Sequence, residues 1–267
     1  MTEKNCESGL ILKNRQLAGS LYELVCHAPA LARAACPGQF VMLAVEDSPR
    51  LFLRRPFGFS GIEKEEGVIH IYYQVVGQGT RQMSGWEVGR SLDMLGPLGR
   101  GFHWEAGPGT AVLIGGGMGI GPLLPLAQAL RQDGKDVIAF LGAASLDKLF
   151  GMRRLMDLGC RVQIATEDGS AGHHGFITIP LEQYLSKASS PAALYACGPT
   201  PFLQATAALG QRFALPLQLS MEERMGCGIG VCMGCVVTIK DSGGHLRNSR
   251  VCYEGPVFSG EEVVFHG

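Results

Sequence analysis

The sequence carries no surplus of charge of one sign. Its 23 Lys and Arg against 24 Asp and Glu leave a formal net charge of -1. No basic face for nucleic acid or an anionic membrane surface is therefore expected. A membrane-spanning helix is missing too. Ala111 to Leu130 is uncharged and long enough to cross a bilayer. However, Gly115, Gly116, Gly117, Gly119, Gly121, Pro122 and Pro125 interrupt it where lipid would demand an unbroken helix. The opening MTEKNCESGL has no apolar signal core. A soluble, cytoplasmic protein is expected. The sequence shows no internal repeat and no low-complexity tract.

What is present is glycine and cysteine. The 38 glycines cluster in a few loops, where backbone is brought close to something. Nine cysteines in a reducing compartment argue against a disulfide framework and for metal ligation. A chain of 267 residues suits two or three small domains better than one large one.

The first hundred residues read as β-rich. Ser20–His27, Gln39–Val45 and Gly67–Val76 are apolar, alternating or β-branched, and are punctuated by Gly38, Gly61, Gly77 and Gly79. Short strands in this length suggest a small antiparallel barrel. The pattern changes near Gly107-Pro108-Gly109. Strands are then expected at Ala111–Ile114, Val137–Leu141, Val162–Thr166 and Ala193–Cys197. Helices are expected at Gly121–Arg131, Leu146–Leu158 and Pro201–Leu209, the last stopped by Gly210. Such alternation predicts a parallel sheet covered on both faces. The last fifty residues have little regular pattern, as expected of a segment ordered by a metal cluster rather than a core. The chain thus divides into 1–106 (antiparallel β-barrel), 107–215 (parallel α/β) and 216–267 (cysteine-rich), a multidomain β plus α/β protein.

Cys227-Gly-Ile-Gly-Val-Cys232-Met-Gly-Cys235, followed by Cys252, has the C-x4-C-x2-C…C spacing of plant-type 2Fe–2S proteins. Two irons need four thiolates, and one loop supplies three. Gly228, Gly230 and Gly234 let that loop turn tightly and aim N–H groups at the sulfurs. Cys232-x2-Cys235 is also a zinc-knuckle spacing, and buried inert thiols are a third reading. The four-residue gap and interleaved glycines fit iron best. Cys6, Cys26, Cys36 and Cys160 read as ordinary thiols. Cys197, before Gly198-Pro199, ends a parallel strand, where ligands bind.

Gly115-Gly-Gly-Met-Gly-Ile-Gly121 lies between a strand and a helix. This context strengthens an otherwise weak G-x-G-x-x-G match and points to a pyrophosphate at a helix N-terminus. In the barrel, Arg55-Pro-Phe-Gly-Phe-Ser60 and Gly77-Gln-Gly-Thr80 offer a phosphate clamp, a flat ring and a backbone cradle. Turns and a surface Arg would explain the same spacing.

These features, in this order, resemble the ferredoxin–NADP reductase superfamily. With Glu254-Gly-Pro-Val-Phe258 after the cysteines, the chain resembles the electron-transfer subunits of class 1B dihydroorotate dehydrogenases, from about Leu10 to Phe265. The resemblance implies FAD on Arg55, Pro56, Phe57, Gly58, Ile71, Tyr72, Tyr73, Gly79 and Thr80. It implies NAD(H) on Gly116, Gly117, Gly119 and Gly121, with Cys197, Gly198 and Pro199 near the nicotinamide and Glu167–Ser170 on the nucleotide rim. A 2Fe–2S cluster would sit on Cys227, Cys232, Cys235 and Cys252. Gly58 departs from the superfamily's usual Ser beside the flavin N5, and Ser60 is expected to lie too far along to replace it. Gly142–Lys148 offers no Arg for a 2′-phosphate, which favours NAD.

The implied partner is an FMN-containing dihydroorotate dehydrogenase catalytic subunit, two of each forming a heterotetramer in pyrimidine biosynthesis. Electrons would pass from it through the cluster and FAD to NAD⁺, and no general acid or base is expected. His173–His174 read as a solvated loop, and Glu222–Glu223–Arg224 as a solvated rim. Alternatives are a reductase subunit of a hydrogenase, sulfide dehydrogenase or transhydrogenase complex, and a zinc-binding regulatory module without turnover.

Overall fold

A computed structural model describes residues 5–45, 51–107, 109–187, 192–241 and 243–265. Residues 1–4 of the opening stretch, Pro108 of the expected junction, and 266–267 lie outside these.

Seven strands form the first sheet: β1 (Asn5–Ala18), β2 (Leu21–His27), β3 (Phe40–Leu43), β4 (Arg55–Gly58), β5 (Gly61–Glu63), β6 (Val68–Gln74) and β7 (Ser91–Leu98). Their order is β4-β3-β7-β1-β2-β6-β5, and every pairing is antiparallel. The outermost strands, β4 and β5, are joined by only Phe59 and Ser60. The Phe59 N–H donates to the Gln39 carbonyl (3.3 Å) and the Ser60 N–H to the His70 carbonyl (2.8 Å), so this link curls the sheet into the expected barrel. Period-two patterning fills it: Ile69, Ile71 and Tyr73 of β6 point inward beside Leu24, Val41, Leu43 and Met94. Two short helices flank the strands, α1 (Pro29–Ala34) and α2 (Gln78–Ser84).

The second sheet contains β8 (Thr110–Gly116), β9 (Asp136–Ala143), β10 (Arg161–Thr166), β11 (His173–His174), β12 (Ala192–Cys197) and β13 (Leu217–Ser220). All are parallel, in the order β11-β10-β9-β8-β12-β13. Alternate strand residues face opposite sides. Ala111, Leu113, Ala139 and Leu141 pack under α3 (Ile120–Gln132) and α4 (Met152–Asp157). Val112, Ile114, Ile138 and Phe140 pack under α5 (Thr178–Leu185) and α6 (Thr200–Arg212). Strand order reverses between β8 and β12, which is where a doubly wound sheet opens a ligand crevice.

Three expectations need correction. Leu146–Leu158 is not one helix: a single turn at Leu146–Lys148 gives way to α4 only after Gly151 at φ 75°. There Gly151 tucks under α3, where a Cβ would meet Ile120 Cγ2 at 2.9 Å. Gly210 does not stop α6, which runs on to Arg212 with Gly210 buried. The last fifty residues do contain regular structure, a hairpin of β14 (Val236–Lys240) and β15 (Leu246–Arg250), then β16 (Val257–Ser259). β16 adds antiparallel to β13, extending the nucleotide-type sheet from within the cysteine-rich stretch. It is also tied to the barrel end, since the Val257 N–H donates to the Arg100 carbonyl at 3.4 Å.

Candidate cofactor site

Two cavities follow the seam between barrel and parallel sheet. The smaller, about 370 Å³, is bordered on the barrel side by Pro56, Phe57, Gly58, Ser60, Tyr72, Tyr73 and Thr80. Across it stand Gly121, Pro122 and Cys197, and at its mouth Glu222, Glu223 and Met225. Tyr73 stacks on Tyr22 with centroids 5.4 Å apart and meets Phe57 edge-on at 6.2 Å. Its hydroxyl donates to Asn14 Oδ1 at 3.0 Å, fixing the ring. The wall is therefore rigid and aromatic, suited to a flat heterocycle.

Arg55 and the start of α2 meet at one end. A Cβ on Gly79 would lie 3.4 Å from Arg55 Nε, so the glycine lets the guanidinium close over the helix start. Thr80 Oγ1 accepts the Val76 and Gly77 N–H groups at 3.0 and 3.3 Å. A cation and a pinned turn together suit a phosphate. Of the barrel residues singled out from sequence, Ile71 does not border this cavity with its side chain. It is fully buried in the barrel core, because period-two alternation turns it inward with Ile69 and Tyr73.

The larger cavity, about 570 Å³, is bordered by Gly116, Gly117, Met118, Pro199, Phe202, Asp147, Lys148, Phe150, Glu167 and Phe176, among others. Two close approaches explain its glycines. A Cβ on Gly119 would lie 2.2 Å from the Cys197 carbonyl oxygen, and one on Gly198 would lie 2.6 Å from the Phe202 ring. Only glycine lets the β8–α3 loop nest against the end of β12. Gln74 and Met118 border both cavities, so the two adjoin at those side chains. No sequence pattern marked either residue. On the rim, Asp168 Oδ1 accepts the Ser170 N–H (2.9 Å) and hydroxyl (2.6 Å), which holds its carboxyl below the usual range. Glu167 and Asp147 offer carboxylates and Lys148 an ammonium, and among the described residues no Arg borders this cavity.

Cys197 is buried, and burial above all, then the nearby Glu222, pushes its thiol well up. Glu222, Glu223 and Arg224 are exposed, as expected of a solvated rim, and Glu222 and Glu223 stand at the mouth of the aromatic cleft. The expected loop of His173 and His174 forms the edge strand β11, with His173 Nε2 buried and unpartnered among the described residues.

The four cysteines lie together, closest in two pairs, with Cys227 also near enough to act on Cys252. Cys227 lies beside Cys232, and Cys235 beside Cys252, whose N–H donates to Cys235 Sγ at 3.4 Å. Burial pushes the Cys227 thiol up, but N–H groups, including those of Val231 (3.3 Å) and Cys232 (3.4 Å), bring it to about 6. That favours thiolate at neutral pH, the form that ligates metal. Burial, then Cys235, pushes Cys252 up to about 12. Cβ atoms on Gly226 and Gly234 would sit 3.3 and 3.4 Å from Cys232 Sγ, so glycines wall this sulfur. Among the described residues, no three His, Cys, Asp or Glu side chains converge on one metal ion. Two thiol pairs suit two bridged irons better than one tetrahedral zinc. Arg250 braces the loop: its guanidinium bonds the Gly230 carbonyl and both Glu254 oxygens.

Residues 222–264 match the model of the iron–sulfur cluster binding domain of dihydroorotate dehydrogenase B. The dihydroorotate dehydrogenase B (NAD⁺) electron-transfer subunit of Shouchella clausii is 40% identical over 257 residues, 95% of this chain and 96% of that one. Its counterpart from Enterococcus faecalis is 38% identical over 264 residues, covering 98% and 99% of the two chains. The chain belongs to this family. Its members are NAD-linked electron-transfer subunits, which agrees with an iron–sulfur, flavin and nicotinamide apparatus and removes the zinc-only regulatory reading. Among solved structures, one of an NADH-dependent reduced ferredoxin–NADP oxidoreductase, described for flavin-based electron bifurcation, aligns at TM-score 0.85 and 29% identity over 96% of this chain and 89% of that one. A ferredoxin reductase of carbazole 1,9a-dioxygenase aligns at TM-score 0.68 with 21% identity over 81% and 69%, a likeness of fold. Among the described residues no helix is long and apolar enough to cross a membrane.

Proposed function

We propose that the chain carries electrons from a dihydroorotate-oxidising catalytic subunit to NAD⁺, in the cytoplasm and in pyrimidine biosynthesis. The observation that carries this is the adjacency of three elements. Paired thiols, an aromatic cleft and a glycine-floored groove adjoin one another, and Met225, Gln74 and Met118 stand at the joins.

In this reading Cys227, Cys232, Cys235 and Cys252 hold the 2Fe–2S cluster. Phe57, Tyr72 and Tyr73 wall the flavin, with Pro56 and Gly58 beside them, and Arg55, Gly79 and Thr80 receive FAD phosphate. Ile71 supports that wall from the core. Gly116 and Gly117 floor the NAD groove, Gly119 lets their loop pack on the end of β12, and Gly121 carries the loop to the flavin side, with Cys197, Gly198 and Pro199 at the groove's inner end. When bound, the cluster supplies a one-electron carrier, FAD a converter between one and two electrons, and NAD⁺ a two-electron acceptor. The neutral Cys197 thiol and the Met118 side chain fill space at the junction and exclude water there. Asp147 and Glu167 suit a ribose hydroxyl and repel an extra phosphate, which supports NAD over NADP.

The partner-facing surface is the cluster tip. Val231, Met233 and Tyr253 are exposed apolar or aromatic side chains around Cys232, itself exposed. We assign this tip to an FMN-containing catalytic subunit, two of each chain assembling. Co-expressed with that subunit, the protein should reduce NAD⁺ with dihydroorotate; alone it should not. Val231→Asp should weaken the complex by about tenfold or more, read by titration, since it places a charge in an apolar contact. Iron, flavin and mass measurements on the complex test the rest. Absence of FAD, or NAD⁺ reduction by the chain alone, would refute the scheme. The likeness to a bifurcating oxidoreductase supports a second reading, a subunit of such a complex. Affinity capture that returns its subunits and no dihydroorotate dehydrogenase would favour it.

A further inference from the structure

The link that closes the barrel contains a hydroxyl with no partner. Ser60 is only 1% exposed, and its Oγ has no hydrogen-bond partner among the described residues. Other buried polar atoms share this condition, on His70, Trp86, His173 and Ser249, but only Ser60 borders the aromatic cleft. Its backbone is fixed by the N–H donated to His70. It packs beside Gly121 at the start of α3, where a Cβ would stand 3.7 Å from Ser60 Cβ, and both residues border the cleft. Two residues earlier, Gly58 presents no side chain, and a Cβ there would already be 3.1 Å from Pro122 Cγ.

A buried hydroxyl without a partner destabilises the protein unless something later satisfies it. Pro56, Phe57, Gly58 and Pro122, which border the same cleft, present only carbon or backbone to it. We propose that the Ser60 hydroxyl is a flavin-contacting group, hydrogen-bonded to the polar edge of the isoalloxazine when FAD fills the cleft. The proposal rests on the placement of FAD argued above. Ser60 then does what Gly58 cannot, from the opposite end of a short extended segment. Its role is positioning and electronic, since a donated hydrogen bond favours the more electron-rich reduced ring.

Ser60→Ala removes the hydroxyl and adds nothing, so the fold should survive. The variant should take up FAD with an affinity lower by about threefold to tenfold, the worth of one neutral hydrogen bond. Its flavin midpoint potential should move negative while the cluster potential stays put. Thermal unfolding of the FAD-free protein should be unchanged or shifted upward, because an unsatisfied group is gone, whereas the upward shift on adding FAD should shrink. Ser60→Cys, with a weak donor, should fall between. Wild-type affinity and potential in Ser60→Ala would overturn the proposal. So would a loss of FAD affinity matched by equal destabilisation of the FAD-free protein, the sign of a packing role. Failure of the wild-type chain to bind FAD would instead overturn the flavin placement itself.

Discussion

Arg250 shows how one side chain can set the geometry of a loop. Its guanidinium reaches the Gly230 carbonyl between the first two cluster cysteines, and Glu254 holds it from the other side. Glu254 lies two residues past Cys252, so one ion pair spans the Cys227–Cys232 loop and the fourth cysteine. Arg250→Ala should release iron to a chelator roughly tenfold faster, as loss of groups behind metal ligands commonly does. Arg250→Lys should behave nearly as badly, since an ammonium cannot hold both Glu254 oxygens and Gly230 at once. Cys232→Ser should go further and lower iron content itself, leaving FAD bound. Metal analysis of the purified variants separates these outcomes. The cysteines were legible from spacing alone, because ligation is a local demand. Arg250 was not, since nothing in the sequence says that its side chain folds back across twenty residues.

Strands and helices were legible where apolar residues face inward. β2, β6, β8, β9, β10, β12, α3 and α6 were all foreseen, to within a few residues at their ends. β1 was not, because its pattern is inverted. Leu10, Leu12 and Leu17 face solvent, while Asn14 turns in to the Met83 and Trp86 carbonyls at 2.8 and 3.0 Å. A residue of the neighbouring strand carries a titration. Glu23 of β2 is buried, with His70 Nδ1 at 3.6 Å, Arg15 at 2.8 Å and Lys13 at 3.6 Å. His70 above all, opposed by burial and aided by Arg15 and Lys13, lowers its carboxyl to about 2. A depressed carboxylate contributes stability above its unfolded value of 4.5, and that contribution is lost as pH falls toward 2. Up to about 3 kcal/mol should disappear over that window. Glu23→Gln should already lack it at neutral pH, and its unfolding free energy should fall less between pH 5 and 3. Urea titrations at several pH values give both slopes. The β8–α3 loop makes a steric prediction. Gly119→Ala drives a methyl into the Cys197 carbonyl, and should cost about 1–3 kcal/mol of stability and weaken NAD(H) binding. Calorimetry with NADH measures the second effect.

Taken together, the three parts are less separate than their compositions suggest. The boundary drawn from sequence at residue 216 followed a change in glycine and cysteine content. Yet β13 and β16, both beyond it, complete the parallel sheet. Composition could not reveal this, because a three-residue strand that returns after the cluster loop leaves almost no periodic trace. Cys235, Val251 and Cys252 likewise pack in one cluster with Phe40, Met42 and sheet residues, so the cysteine segment does share a hydrophobic core. The cavities were legible only as separate motifs. Their meeting at Gln74 and Met118 depends on how barrel and sheet dock.

The return of β16 limits where this chain can be spliced. An engineer wishing to exchange its iron–sulfur unit for that of another reductase would choose the compositional boundary, and would cut away the sheet's final two strands. The exposed edge of β12 would then invite aggregation. A graft that keeps Leu217–Ser220 and Val257–Ser259 native, together with Arg100 on the barrel side, leaves that edge covered. The interchangeable part is therefore the excursion between the two strands, and its two ends are already anchored side by side.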